Sequence, residues 1–229
     1  MANPSALISA GEPINVSGEG RRFVSRGGEK LDTALDRFGM DVAGARCLDA
    51  GSSTGGFTDC LLRRGAAHVI AVDVGYGQLA WKLREDPRVT VLERTNVRDL
   101  RPEDLPYAPR LITADLSFMS LELAIPSLGR VGEKEASMIL LIKPQFEAGR
   151  AQVEKGGVVR DPEVWVGALD RVSDACLAAG FGPVDAAVSP LLGPAGNVEF
   201  FLHAKAGHAG TELDFRALSR EGAALQVAS

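Results

Sequence analysis

Cysteine is scarce in this 229-residue sequence, and the spacing of the three cysteines excludes two kinds of site. Cys47, Cys60 and Cys176 are an odd number and lie far apart, which fits neither a disulfide framework nor a metal-ligating pair. The opening stretch "MANPSALISAGEP" has no charged leader followed by a long apolar run, so no secretory signal is predicted. We therefore expect a cytoplasmic protein.

Long hydrophobic runs and histidine clusters are also missing. The longest apolar run is "MILLI" before Lys143, which is far too short to cross a bilayer, so no membrane contact is predicted. His68, His203 and His208 have no cysteine or carboxylate partners at ligand spacing. The sequence therefore predicts no metal site.

Positive charge is in deficit, with 25 lysines and arginines against 30 acidic residues and a formal net charge of −5. This balance excludes a chain coated in basic patches, so any binding to nucleic acid must come from local clusters or a second domain. Two basic clusters flank the predicted strand ends, where they could contact phosphates or form an ordinary solvated surface. Their candidate RNA-binding residues are Arg21, Arg22 and Arg26 in the first cluster and Arg150, Lys155 and Arg160 in the second.

Short apolar strands alternate with amphipathic helices along most of the chain. This alternation predicts an α/β domain with a parallel sheet between two layers of helices. Two further strands, "PVDAAVSPL" and "NVEFFLHAKA", are spaced as an antiparallel pair. We assign the domain to residues 21–207, with an N-terminal tail over 1–20 and a weakly patterned, peripheral C-terminal tail over 208–229.

The stretch "LDAGSSTGGF" follows the first predicted strand and holds three glycines. Gly51 permits a sharp turn, and Gly55 and Gly56 let a ligand approach the backbone closely. About 20 residues further on, Asp73 ends the second strand, where a carboxylate can accept both hydroxyls of a ribose. The loop therefore predicts a ligand that contains adenosine, and the alternative is a glycine-rich turn that binds nothing.

Two classes of cofactor compete for this loop. A dinucleotide requires glycine where Ser52 and Ser53 stand, and its pyrophosphate would be repelled by Asp49, whereas the cationic S-adenosylmethionine suits that acid. We therefore favour S-adenosylmethionine, with a dehydrogenase as the alternative. Asn96 follows the third strand, where it could contact adenine or cap a turn. The predicted cofactor-binding residues are Asp49, Gly51, Ser52, Ser53, Thr54, Gly55, Gly56, Phe57, Asp73, Val74, Asn96, Val97 and Asp115.

Four charged residues occur in the stretches "SRGGEKL", "TADLSF", "LIKPQFE" and "GNVEFF". They are Lys30, Asp115, Lys143 and Glu199, and we call them the tetrad. The set resembles the Lys-Asp-Lys-Glu tetrad of ribose 2′-O-methyltransferases of the RrmJ/FtsJ type. Together with "LDAGSSTGGFTDCLL" and "GGVVRDP", it is similar more narrowly to the hemolysin A (TlyA) family, from about Arg21 to Lys205.

The resemblance implies a Rossmann-like class I methyltransferase with a mostly parallel seven-stranded sheet, one antiparallel strand and helices on both faces. It implies methylation of cytidine ribose in 16S/23S ribosomal RNA, with ribosomal RNA or subunits as partners of a monomer or weak dimer. It assigns Lys143 as general base, Asp115 as its orienter, and Lys30 and Glu199 as positioners of the ribose and its phosphate. Family members usually begin with an S4-type RNA-binding domain, of which residues 1–20 would be a remnant.

Two other functions stay open at this stage. The family name suggests a membrane-damaging protein, which the lack of any stretch able to span or coat a bilayer disfavours. A copy of the fold could also bind cofactor and RNA without transferring a methyl group, which the complete tetrad disfavours. Taken singly, Lys30 and Glu199 could be surface charges, and Asp115 could be a turn cap.

Overall fold

All seven predicted strands are present in a computed structural model of the protein, which describes residues 22–154 and 156–228. The residues of β4 and nearly all those of β5 are buried, because helices cover both faces of the sheet. The strands are β1 Arg46–Ala50, β2 His68–Val72, β3 Val89–Leu92, β4 Leu111–Ala114, β5 Ser137–Ile142, β6 Phe181–Val188 and β7 Phe200–Ala206.

Side-chain caps mark the starts of some helices. Ser120 accepts the backbone N–H of Glu122 at the start of α4 (Leu121–Val131), and Asp161 accepts that of Glu163 at the start of α6 (Pro162–Ala178). Pro162 occupies the first position of α6. The helices are α1 Arg26–Arg37, α2 Gly56–Arg63, α3 Trp81–Arg84, α4 Leu121–Val131, α5 Pro144–Glu147, α6 Pro162–Ala178 and α7 Phe215–Ala228. Short 3-10 turns occupy Val97–Asp99, Pro102–Asp104 and Arg150–Gln152.

The strand order is β3-β2-β1-β4-β5-β7-β6. Strands β3, β2, β1, β4 and β5 pair in parallel, whereas β7 runs antiparallel to both of its neighbours. This confirms the predicted sheet with one antiparallel strand. The winding reverses between β1 and β4, so the carboxyl ends of these two strands border the crevice in which such sheets bind ligands.

Apolar residues cover both faces of the sheet, and strand residues alternate between the two layers. In β1, Leu48 and Ala50 contact the cluster that includes Ile125 of α4, whereas Cys47 contacts the cluster that includes Leu61 of α2. This alternation is the two-residue period of an extended strand. It confirms the predicted helices on both faces.

The C-terminal segment differs from the peripheral tail that the sequence predicted. Residues 215–228 form α7, and Phe215 and Leu218 are buried in the same apolar cluster as α6. A Cβ atom at Gly222 would lie only 2.9 Å from Val198 Cγ1, so the small residue allows close packing. Small residues contribute little to a hydrophobic pattern, which explains why the pattern missed the helix. Residues 1–20 lie outside the described part of the chain.

The burial of Leu218 gives a test of this packing. Leu218→Ala removes apolar contacts and leaves a cavity, so we expect the free energy of unfolding to fall by about 2–3 kcal/mol in urea titrations. The matched control is Leu123→Ala on α4, where the side chain is 53% exposed and a change within about 0.5 kcal/mol is expected. Equal effects of the two substitutions would contradict the packing of α7.

Candidate active site

Two cavities meet at the carboxyl ends of the parallel strands. The tetrad cavity, of about 330 Å³, is lined by all four tetrad residues. The Asp73 cavity, of about 440 Å³, extends towards β2 and β3 and is lined by Asp73 and Asn96. Gly51, Ser53 and Asp115 line both cavities. The structure thus joins the predicted cofactor residues and the tetrad in one continuous cleft.

Gly51 allows the ends of β1 and β4 to touch. It has a φ of +82°, and a Cβ atom there would lie 2.5 Å from the carbonyl oxygen of Asp115. The backbone N–H of Asp115 donates to the carbonyl of Ala50 at 2.9 Å, which holds the two ends together. Only glycine tolerates both this positive φ angle and this short distance to the Asp115 carbonyl. The glycine loop and Asp115 of the tetrad are therefore held in contact.

The other two glycines of the loop bring helices together. Gly55 has a φ of +97°, and a Cβ atom there would lie 2.3 Å from Leu83 Cδ1 of α3. Gly56 begins α2, and a Cβ atom there would lie 2.2 Å from Ser25 Oγ and 2.9 Å from the backbone N of Gly28. Gly56 lines the tetrad cavity, whereas Gly55 lines neither cavity. The predicted cofactor contact of Gly55 is therefore replaced by helix packing.

Asp73 lies where a nucleoside ribose could reach it. Its Oδ2 accepts the backbone N–H of Ser53 at 2.8 Å, and its Oδ1 accepts that of Gly75 at 2.7 Å. Each carboxylate oxygen has two lone-pair sites, so each keeps one for a ligand hydroxyl. Both described contacts fix the orientation of the carboxylate at the cavity wall.

The remaining predicted nucleoside residues also line the Asp73 cavity. Val74 is 74% exposed at its rim, and Val97 is buried behind it. Asn96 Oδ1 accepts the backbone N–H of Arg98 at 3.1 Å and so caps the following 3-10 turn. Asn96 thus caps the turn, which is one of its two interpretations, and it also lines the cavity, where its contact with adenine stays a prediction.

Asp49 is a correction to the predicted site. Its side chain is fully buried, and it lines neither cavity. Its Oδ2 accepts the hydroxyl of Thr58 at 2.7 Å, and its Oδ1 lies 3.4 Å from the hydroxyl of Thr113. Burial raises the pKa of Asp49 to about 7, and the hydrogen bond from Thr58 opposes this rise. The carboxyl group therefore contacts side chains of α2 and β4 and lines neither cavity.

Lys143 and Asp115 form the centre of the cleft. Lys143 Nζ lies 2.6 Å from Asp115 Oδ1 and 2.9 Å from the hydroxyl oxygen of Ser117. Only 12% of the Lys143 side chain is exposed, because the amine stands at the end of the buried strand β5. The structure therefore brings these two tetrad residues together as predicted.

Lys30 and Glu199 form the second tetrad pair. Lys30 Nζ pairs with Glu199 Oε2, and both side chains are buried. Burial raises the pKa of Glu199, and the positive charge of Lys30 opposes this effect. The second oxygen, Oε1, is buried without a hydrogen-bond partner, and Glu199 lines the tetrad cavity. The pair joins α1 to the residue directly before β7.

Glu147 is a buried carboxylate that sequence analysis did not single out. It accepts the hydroxyl of Ser120 at 2.5 Å and the backbone N–H of Leu121 at 2.9 Å. Burial raises the pKa of Glu147, and these hydrogen bonds oppose the rise. The contacts tie the segment after Lys143 to the loop after Asp115. Within "LIKPQFE" no local signal marks this residue as buried.

The described arginines of the first basic cluster contact protein groups. Arg22 pairs with Asp32 of α1. Arg26 Nη2 donates to the carbonyl oxygen of Leu192 at 2.9 Å, and Arg26 lines the tetrad cavity. Arg26 is therefore the member of this cluster that the structure brings to the cleft.

The second basic cluster lies beyond the walls of the two cavities in its described part. Arg160 pairs with Glu154 on the exposed surface. Arg21 and Lys155 lie outside the described residues, as does the side chain of Arg150. An RNA-binding role therefore stays a prediction for Arg21, Arg150, Lys155 and Arg160.

Several cavity residues were missed by the sequence analysis. They are small, polar or apolar loop residues, and nothing in their local sequence distinguishes them from ordinary loop positions. They include Ser25, Gln78, Thr95, Ser117, Phe118, Leu192 and Pro194. Only the fold reveals that these residues share a cleft with the tetrad.

Residues 22–154 and 156–228 contain no group of three or more His, Cys, Asp or Glu side chains that could hold a metal ion. No helix in the same ranges is both long and apolar enough to cross a bilayer.

The fold and the cleft together define a class of protein. The common dinucleotide-binding sheet has the strand order 3-2-1-4-5-6, whereas here the antiparallel β7 lies between β5 and β6. The loop of Gly51 stands at the switch point of this sheet, and the carboxylate of Asp73 follows the neighbouring strand β2. This arrangement is that of a Rossmann-like methyltransferase that uses S-adenosylmethionine.

The family follows from comparison with known proteins. The model of the FtsJ-like methyltransferase family matches residues 23–206, and the chain belongs to this family. This confirms the predicted family and excludes the dehydrogenase alternative. The chain is 52% identical to the Mycobacterium tuberculosis protein named 16S/23S rRNA (cytidine-2′-O)-methyltransferase TlyA, over 96% of this chain and 80% of that protein.

Two other similar proteins carry a hemolysin name. Hemolysin A of Brachyspira hyodysenteriae is 42% identical over 80% of this chain and 76% of its own length. The crystal structure of a putative hemolysin from Lactococcus lactis superimposes with a TM-score of 0.85 at 43% identity, covering 88% of this chain and 99% of that one. The fold is therefore shared along nearly the whole of that neighbour.

Asp49 predicts a specific pH dependence of stability. Its pKa is raised from 3.8 to about 7 in the folded protein, so the stability it contributes is present when it is protonated and is lost as pH rises from about 4 to about 7. We expect Asp49→Asn to unfold at a higher temperature than the wild type, with a difference that grows over this pH range and then levels off. Thermal unfolding of both proteins from pH 4 to pH 9 measures this difference in unfolding temperature. A difference independent of pH would contradict the burial of an ionisable group.

Gly56 predicts a steric effect. Gly56→Ala places a Cβ atom against Ser25 and the backbone of Gly28, so we expect the free energy of unfolding to fall by about 1–3 kcal/mol. Urea unfolding measures this effect. The control is Gly167→Ala inside α6, where a Cβ atom meets only the flexible Arg171 side chain at 3.4 Å and stability is expected to rise slightly. Unchanged stability in Gly56→Ala would refute the close contact of α1 and α2.

Proposed function

We propose that the protein methylates the 2′-hydroxyl of a cytidine ribose in ribosomal RNA. The observation that carries this proposal is the contact of Lys143 with Asp115 at 2.6 Å, at the junction of the two cavities. The substrate class is that of the relative from Mycobacterium tuberculosis, whose name specifies cytidine 2′-O-methylation of 16S/23S rRNA. An RNA substrate is in keeping with the predicted cytoplasmic location.

We assign the Asp73 cavity to the nucleoside end of S-adenosylmethionine. Asp73 offers one free acceptor site on each oxygen to the ribose hydroxyls, and Asn96 and Val97 border the space next to it. Gly51 lines both cavities, and its missing Cβ atom lets the carbonyl of Asp115 approach it where the two cavities adjoin. When bound, the cofactor supplies an electrophilic methyl group, whose bond to sulfur breaks as the new bond to oxygen forms.

Lys143 is assigned to take the proton of the ribose hydroxyl. An amine accepts a proton only in its neutral form, with its lone pair turned towards the donor. Asp115 holds the amine by an ion pair at 2.6 Å, and the low exposure of the Lys143 side chain keeps bulk water from competing for it. The two residues thus perform the general-base step and its orientation.

Lys30 and Glu199 are assigned to position the RNA. Their ion pair fixes the wall opposite the β4 loop, and the unpaired Oε1 of Glu199 can accept a hydrogen bond from a substrate group. Arg26, at the mouth of the tetrad cavity, is the described arginine best placed to meet a phosphate. Phosphate contacts of this kind would weaken with added salt.

Membrane lysis is the other function that a relative's name suggests. The tetrad and the cleft have a direct use in methyl transfer and none in lysis. We therefore place methyl transfer first. The deciding experiment incubates the purified chain with labelled S-adenosylmethionine and unmodified ribosomal subunits, and maps new 2′-O-methyl groups. Label on a base instead of a ribose would overturn the proposal.

The general-base assignment predicts a loss of turnover. Lys143→Ala removes the proton acceptor, so we expect kcat to fall about 10²–10⁴-fold, with the affinity for S-adenosylmethionine unchanged because Lys143 lies in the tetrad cavity. Single-turnover methylation and calorimetric titration measure the two quantities. The matched control is Lys134→Ala at an exposed position before β5, which is expected to keep full activity. Near-normal kcat in Lys143→Ala would remove Lys143 from the role of base.

A further inference from the structure

Ser117 is the second hydrogen-bond partner of the assigned base. Lys143 Nζ lies 2.9 Å from Ser117 Oγ and 2.6 Å from Asp115 Oδ1. Both partners belong to the loop that follows β4, and Ser117 lines the Asp73 cavity. The amine is therefore held by two oxygen atoms from one segment of the chain.

The geometry of an amine gives these two contacts a chemical consequence. A neutral lysine has two N–H donors and one lone pair at tetrahedral positions, whereas the charged form has three donors and no acceptor. A carboxylate can only accept, and a serine hydroxyl can accept as well. The hydrogen bond to Ser117 fixes one N–H of Lys143, and the ion pair with Asp115 holds the amine beside the same loop, so fewer orientations of the lone pair remain. With Asp115 alone, rotation about the Cε–Nζ bond would be less restricted.

Lys143 borders the tetrad cavity. Both of its contact partners come from the β4 loop. Lys143 itself lines the tetrad cavity, together with Lys30 and Glu199. A hydroxyl bound in this cavity would therefore lie next to Lys143.

The loop that carries Ser117 is held at both ends. At its start, the backbone N–H of Asp115 donates to β1. At its end, Ser120 and Leu121 donate to the buried carboxylate of Glu147. Such anchoring keeps the Ser117 hydroxyl at a fixed distance from Lys143.

The backbone after Ser117 is strained, which supports a fixed loop. Phe118 has a φ of +66°, an uncommon conformation for a residue with a bulky side chain. Its ring packs against that of Phe146 with centroids 5.4 Å apart, although 92% of Phe118 is exposed. Strain of this kind persists only where surrounding contacts impose it, and it clusters at functional sites.

We propose that Ser117 is a positioning residue for methyl transfer. Its Oγ accepts one N–H of Lys143 and, together with Asp115, directs the lone pair of Nζ at the substrate hydroxyl. This inference rests on the proposed function, since it requires Lys143 to act as the base.

The test compares two substitutions at Ser117. Ser117→Ala removes the acceptor, and we expect kcat to fall about 5–10-fold, the equivalent of one hydrogen bond. The KM for RNA and the affinity for S-adenosylmethionine are expected to stay within about twofold, because an interaction realised in the transition state lowers kcat and kcat/KM equally. Ser117→Thr keeps a hydroxyl at this exposed position and is expected to restore most of kcat.

The matched control is Ser173→Ala on α6, the same change at a position that lines neither cavity. We expect its kcat to stay within about twofold of the wild type. A fall in kcat of the same size in both alanine variants would overturn the inference.

Each remaining outcome of the test either supports or overturns one of the two proposals. Wild-type kcat in Ser117→Ala overturns the inference, as does a rise in KM with kcat unchanged or a failure of Ser117→Thr to restore activity. A fall in kcat confined to Ser117→Ala supports it. Absence of methyl transfer by the wild-type protein would instead refute the proposed function, so the two failures are distinguishable.

Discussion

The contact between the carboxyl ends of β1 and β4 is the constraint on which the rest of the site depends. Gly51 has no side chain, so the carbonyl of Asp115 can approach it, and the backbone hydrogen bond from Asp115 to Ala50 locks the two ends together. The glycine loop thereby borders the Asp73 cavity on one side and the tetrad cavity on the other. A larger residue at position 51 would separate the two halves of the cleft.

Several ionisable groups in the cleft and beside it have been removed from water. Lys30 and Glu199 are buried as a pair, and Asp49 and Glu147 are buried carboxyls with raised pKa values. Desolvation of such groups costs free energy that their partners offset only in part. We attribute this arrangement to function, because fixed charges in a site of low water content act more strongly on a reacting group than the same charges in solvent.

Several features of the site could not be predicted, because the local sequence does not specify which residues surround a side chain in the folded protein. The acid of Asp49 follows a strand and suits a cationic ligand, yet the pleat of β1 directs it to Thr58 and away from the cavities. The C-terminal helix was missed because its contacts use small residues such as Gly222. Ser117 and Glu147 are a serine and a glutamate at loop ends, a common occurrence, and only their partners distinguish them.

The sequence by itself determined the order of strands and helices, the loop of Gly51, the acid at Asp73 and the family to which the chain belongs. These follow from apolar periodicity and from motifs, which are local properties of a chain. Tertiary structure decided which face each polar side chain occupies and which residues meet. The hydrogen bond of Lys143 with Ser117 joins residues 26 positions apart in the chain. Such distances are set by the packing of the whole sheet, so no local pattern records them.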